Sequence, residues 1–213
     1  MPLSLSRLML IYVAFFLLVI SPVNLYADDL IEVTAKTQVR CVEYFNRNGK
    51  LFCSTTAIET MPVPADIVNS EKQNIVFDHR TWKVAWGKKN EHITTIEYIP
   101  VGDDIDNWKE LITTQYFPQL PKNITPVTLA NAMVSDLKEK GYKPVITFHK
   151  KDPEIVIFEF QIGDPPSQAQ DEIQMIRRGK NGLYILHYVT RNSDMGKEER
   201  TKWLQNFSQS TIK

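Results

Sequence analysis

His79, His92, His149 and His187 are the side chains best suited to proton transfer near neutral pH, and they are scattered singly along the chain. None forms a His-x-x-x-His or His-Glu-x-x-His pair, the helical spacing that a zinc protease needs. The arrangement with the most catalytic content puts His149 and His187 on strands, with Glu159 or Asp152 as the carboxylate that orients a ring. A small hydrolase would use them so, and ordinary surface or half-buried histidines are the favoured alternative. No Gly-x-Ser-x-Gly elbow occurs, and none of the eight glycines builds a Gly-x-Gly-x-x-Gly or P-loop pattern. These absences disfavour serine hydrolase and nucleotide chemistry, and no catalytic, cofactor-binding or metal-ligating residue is assigned.

Cys41 and Cys53 flank an Asn48-Gly49 turn signal between the runs 40–45 and 50–55. Their redox state depends on residues 1–27, where Arg7 precedes an apolar run over 8–20 and a polar stretch ends at Ala27. Such a run rises about 20 Å as a helix, short of a bilayer core of about 30 Å, so it suits a cleaved export signal better than a permanent span. An uncleaved anchor is the minor alternative, because Leu25 is acceptable but not ideal in the cleavage motif. Export to the periplasm or the extracellular space makes a Cys41–Cys53 disulfide the expected state. A two-residue loop at Asn48-Gly49 would set Cys53 against Tyr44 and Cys41 against Thr56, with the sulfurs on opposite faces. Pairing therefore predicts a longer loop centred near Arg47, with Gly49 left-handed.

A third group of residues suggests electrostatic recognition. Runs over 142–150, 154–162, 172–178 and 183–191 read as an up-and-down meander whose first and third turns share one end of a sheet. Lys150, Lys151, Arg177, Arg178 and Lys180 then gather there, a patch for phosphate, acidic polysaccharide or an acidic protein. Solvated hairpin tips that discourage edge pairing are the stronger alternative. The whole chain holds 25 basic and 25 acidic side chains, and loss of Arg7 with the leader leaves a formal charge of −1. Bulk attraction to nucleic acid or to an anionic membrane is not expected from that balance.

The elements that must position these groups fall into a leader over 1–27, a hairpin segment over 28–68 and a domain over 69–213. The hairpin segment ends in Met61-Pro62-Val63-Pro64 and reads as an appendage, since proline cannot join a central strand. Next come a strand with Trp82, Val84 and Trp86 on one face, a turn at Lys88-Lys89-Asn90 and a strand over 92–100. A helix capped by Asp103 or Asp104 is predicted to carry Ile105, Trp108, Leu111 and Ile112. A second opens at Thr125-Pro126, presents Leu129, Ala130, Met133, Val134 and Leu137, and stops at Gly141. After the meander, a final helix over 197–210 presents Trp203, Leu204 and Phe207. The pattern predicts an α+β fold in which helices pack an antiparallel sheet.

Residues 82–117 carry a resemblance: Trp82 and Trp86 on a strand, Glu97-Tyr98-Ile99-Pro100, an acidic cap, then Asn107-Trp108-Lys109-Glu110-Leu111-Ile112-Thr113. This segment resembles a group of uncharacterised exported bacterial proteins, and from about residue 74 onward the element order resembles the PsbP-like α/β sandwich. That resemblance implies a PsbP-like sandwich and a binding or assembly role without catalytic centre or cofactor. The expectation is an exported, non-enzymatic binding or interaction protein of the bacterial envelope or secreted fraction. Its partner is a protein or anionic envelope component, not nucleic acid, and no membrane span remains after cleavage. Alternatives are a small secreted hydrolase using His149 or His187, and a carrier of a small apolar ligand in a closed cavity beside Trp82 and Trp108.

Overall fold

The computed structural model describes residues 30–213, apart from 35, 42, 48–49, 56–62 and 122 and the side chains of Asn46 and Arg47. The predicted leader and the Asn48-Gly49 turn lie outside the described residues. In chain order the elements are β1 (Ile31–Glu32), β2 (Glu43–Arg47), β3 (Lys50–Ser54), α1 (Ala65–Val68), β4 (Gln73–Asn74), β5 (Thr81–Lys89), β6 (Thr94–Pro100) and β7 (Glu110–Phe117). There follow α2 (Pro126–Glu139), β8 (Val145–Lys151), β9 (Ile155–Ile162), β10 (Gln170–Gly179), β11 (Gly182–Thr190), α3 (Lys197–Gln209) and β12 (Thr211–Ile212).

Ten of these strands make one antiparallel sheet in the order β1-β3-β2-β5-β6-β7-β11-β10-β9-β8, and β12 pairs with β4. This large sheet with few helices corrects the expected PsbP-like α+β sandwich. Two local departures account for the difference. The helix predicted from Asp103 is a single 3-10 turn, Ile105–Asn107, in which the Asp104 carboxylate accepts from the amide of Asp106, and the chain then enters β7. The run Ile112-Thr113-Thr114 is β-branched, stiff in χ1 and suited to a pleated surface, so strand pairing wins over the helical spacing of the apolar positions. The cysteine hairpin, in turn, is no appendage. β2 pairs with β5, so β1, β2 and β3 extend the main sheet.

The disulfide forms, but its register differs from the expected one. Tyr44 lies opposite Cys53 and Arg47 opposite Lys50, the pairing of a two-residue loop. Cys41 precedes β2, outside the ladder, and so reaches Cys53 with its Cα 5.6 Å away without sharing the strand's alternation. A second register change lies in β5. A bulge between Val84 and Trp86 turns Trp86 to the face opposite Trp82 and Val84, where it pairs with Glu97.

After β7 the chain crosses through α2 to the far edge, and the predicted meander β8-β9-β10-β11 returns until β11 pairs with β7. Thr125 caps α2 by accepting from the amide of Thr128, Pro126 occupies the first turn, and Gly141 past the end has φ +87°, as the sequence predicts. Both sides of β9, β10 and β11 are covered, while the edge strand β8 is largely exposed. On one face, Ala130 of α2 packs with Val156, Phe158, Ile176, Leu183 and Ile185. On the other, Trp203 and Phe207 of α3 pack with Trp82, Ile112, Ile173, Met175, Leu186 and Tyr188. The Trp203 ring stacks on Tyr188 at 4.1 Å and meets Trp82 edge-on at 5.7 Å.

The β10–β11 turn depends on Gly182. A Cβ there would collide with the carbonyl oxygen of Phe117, a backbone atom with nowhere to go. Gly182→Ala is therefore expected to lower the unfolding free energy by about 1–3 kcal/mol. Urea denaturation checks this, with a lower midpoint at unchanged slope.

Candidate functional site

Residues directly opposite one another in a sheet share a face, and this rule assembles a polar row on the α2 face. Glu97 of β6 faces Thr113 of β7, Thr113 faces His187 of β11, and His187 faces Gln174 of β10. Along the strands the row is bounded on one side by Ile185, Ile176 and the α2 cluster. On the other lie Ile99, Leu111 and Val189, packed by Ile105 and Trp108 from the loop before β7. A cavity of about 310 Å³ opens over this floor, lined by Glu97, Trp108, Leu111, Thr113, Gln115, Gln170, Glu172, His187 and Val189.

His187 is only 8% exposed and is held at both ends of its ring. Its Nδ1 lies 2.7 Å from Oε1 of Glu172, and its Nε2 lies 3.3 Å from Oε1 of Gln115. The Glu172 carboxylate also accepts from Gln174 at 2.6 Å and from Gln170 at 3.3 Å. Each ring nitrogen thus has an oxygen within hydrogen-bonding distance, which fixes the orientation of the imidazole. Glu97 differs. Burial raises its pKa from the usual 4.5 to about 7, and the nearby His187 only partly opposes that rise.

The carboxylate partner of His187 is thus Glu172, which sequence reasoning did not select. The signal was present: a two-residue turn at Lys180-Asn181 sets Gln174 opposite His187 and Glu172 one pleat further along. The expected pairing of His149 with Glu159 does occur, at 2.7 Å, but around the other side of the sheet from His187. Asp152 instead meets Lys150 at 3.3 Å. His92 is a surface residue beside Glu91. Glu159 belongs to a cluster centred on Arg200 of α3, which donates to Glu159 at 2.8 Å, to Asp171 at 3.1 Å and to Asp194 at 2.8 Å. Asp171 is fully buried, and that burial raises its pKa to about 6 against the opposing donors Met195 N and Gln161 Nε2.

The turns of the expected basic patch do meet, since Arg178 N donates to the Glu154 carbonyl. Their cations, however, diverge. Arg177 donates to the Ser210 carbonyl on the α3 face, Arg178 to the Ile124 carbonyl on the α2 face, and Lys151 lies over the Phe148 ring. Lys150 is taken by Asp152, as above, and Lys180 lines a separate, larger cavity of about 510 Å³. That cavity has mainly turn residues around it and lacks the hydrogen-bonded floor of the Glu97 cleft. Trp82 and Trp108 fall in different core clusters, on opposite faces of the sheet.

Among the described residues, no group of three or more His, Cys, Asp and Glu side chains is placed to hold a metal ion, and no helix is long and apolar enough to cross a membrane. A protein-family model matches residues 70–213, a span that includes every residue lining the cleft and excludes the cysteine hairpin; that family is uncharacterised. No curated protein matches the chain.

The pKa shifts predict pH-dependent stability. A carboxyl raised from 4.5 to about 7 favours folding fully below pH 4.5, and this contribution is lost as pH rises through 7. Glu97→Gln, neutral throughout, should therefore gain roughly 3 kcal/mol over the wild type between pH 4.5 and pH 8, measured by urea denaturation. Arg200→Ala strands Glu159 and Asp171 in the interior. It should cost roughly 3 kcal/mol at pH 8. The cost should shrink at pH 5, where Asp171 takes up a proton, a trend that paired melting curves will show.

Proposed function

The chain belongs to this uncharacterised family through residues 70–213, and we propose that it is an exported, non-enzymatic binding protein of the bacterial envelope or secreted fraction that holds a small ligand in the Glu97 cleft. The observation that carries this reading is the hydrogen-bonded His187–Glu172–Gln115 group on the cleft floor. His187, Glu172 and Gln115 hold one another in place, which makes a pre-organised recognition surface. Pre-formed concave sites of this kind, with an apolar wall and a few fixed polar groups, are the usual setting for small ligands. Export is supported by the leader pattern over 1–27 and by the Cys41–Cys53 disulfide, a bond that persists in oxidising compartments.

Two measurements test the proposal. Cell fractionation should place the protein outside the cytosol, with residues 1–27 removed and both thiols oxidised. In solution, amide and indole NMR resonances of Glu97, Trp108, Thr113 and His187 should shift together when a panel of small polar and amphiphilic molecules is titrated in. Shifts scattered elsewhere, or none, contradict the cleft. Turnover of an ester, amide or glycoside substrate that His187→Ala abolishes would replace the binding role with hydrolysis.

A further inference from the structure

The cleft floor is not chemically uniform. Glu172 takes donors from His187, Gln170 and Gln174, and His187 is held at both nitrogens. Among the described residues Glu97 alone of the cleft's titratable groups has no hydrogen-bond partner, its electrostatic neighbour being His187. It is therefore a desolvated acceptor facing the cavity, and a ligand must bring the donor. Beside it, Trp108, Leu111 and Val189 form a continuous apolar wall. Arg191 lies over the Trp108 ring at 4.5 Å, so the indole serves as a wall and its cation-binding capacity is already used.

We propose that the cleft takes a small organic monocation, a primary ammonium on a compact apolar body, with the ammonium against Glu97 and the body against Trp108, Leu111 and Val189. This rests on the reading of the cleft as a binding site. A sugar or other polyol fits less well, because it needs several free polar partners, while His187, Glu172, Gln115 and Gln170 are already engaged with one another. A cavity of about 310 Å³ stands at the small end of ligand sites and suits a molecule of on the order of ten non-hydrogen atoms. Desolvation strengthens the preference: an ammonium beside a poorly hydrated carboxylate replaces the proton that burial would otherwise retain.

Binding is then linked to proton release. The charged and titratable groups on the same sheet face are Glu43 on β2, Lys83 and Lys88 on β5, His187 on β11, balanced by Glu172 on β10, Arg191 beyond β11, and, further off, Arg178 on β10 and Lys151 on β8, while β7 presents Leu111, Thr113 and Gln115. Glu97 is the group whose pKa near 7 falls in the measured range, so its ionised fraction rises about tenfold between pH 6 and pH 8.

Isothermal titration calorimetry with phenethylamine, its neutral counterpart 2-phenylethanol and glucose tests this on the full protein. The amine should bind about tenfold more tightly at pH 8 than at pH 6, and buffers of different ionisation enthalpy should show proton release near pH 7. Glu97→Gln, which keeps the fold by circular dichroism, should weaken the amine at least tenfold at pH 8 and flatten its pH dependence. Equal affinity for 2-phenylethanol, or a Glu97→Gln variant that binds the amine like the wild type, would overturn the proposal. Glucose binding without amine binding, with the cleft resonances shifted, overturns the monocation and leaves the cleft standing as a binding site. Silence from these three probes while other panel members shift the cleft does the same. Silence from every panel member removes both.

Discussion

Every residue of β11 is buried, and this constraint organises the molecule. A strand covered on both sides needs neighbours for its polar side chains, because an unpaired polar group in such a place costs about 1–3 kcal/mol, a cost the chain bears at Thr190, whose hydroxyl finds no partner among the described residues. On the α3 face the requirement is met by apolar packing, with Leu186 and Tyr188 against Trp203 and Phe207. On the α2 face it is met by His187, whose two nitrogens each find an oxygen. Once His187 is there, Glu172 and Gln115 must stand on the adjoining strands, and the cleft floor follows from the burial of the strand beneath it.

The two polar assemblies of the protein divide along the same line. Around Arg200, charges tie α3 and the segment before it onto β9 and β10, and Asp171, fully buried, is at once a ligand of the guanidinium and an acceptor for the Met195 amide. Its second oxygen finds no protein donor. That cluster is a fastening, closed on itself and covered by the helix it holds. Across the sheet, the His187 assembly has no helix above it among the described residues and opens instead onto a cavity. The same residue types thus serve as a clamp on one side and as a receptive surface on the other, and coverage decides which.

Legibility in the sequence follows how local the information is. Thr125-Pro126 and Gly141 bound α2 because cap and stop chemistry act within a turn. The Lys180-Asn181 turn announces β10 and β11 for a similar reason. Residues 103–112 misled because Ile105, Trp108, Leu111 and Ile112 satisfy a helical stripe, while the deciding term, pairing of β7 with β6 and β11, comes from chain segments far away. The bulge that turns Trp86 around leaves no mark in composition. Of the cleft, His187 was visible as a candidate; Glu172 required hairpin register, and Glu97 required knowing that β6 and β11 flank the same strand.

The β7–β11 pairing also sets when this sheet is able to exist. β7 leaves one edge open until α2 and four further strands have been made, and Trp82 lacks its indole neighbour until Trp203 has emerged. The central seam therefore closes only after nearly the whole polypeptide is available. The sheet thus takes its final form late, because the pairing that joins its two halves is a contact between distant parts of the chain.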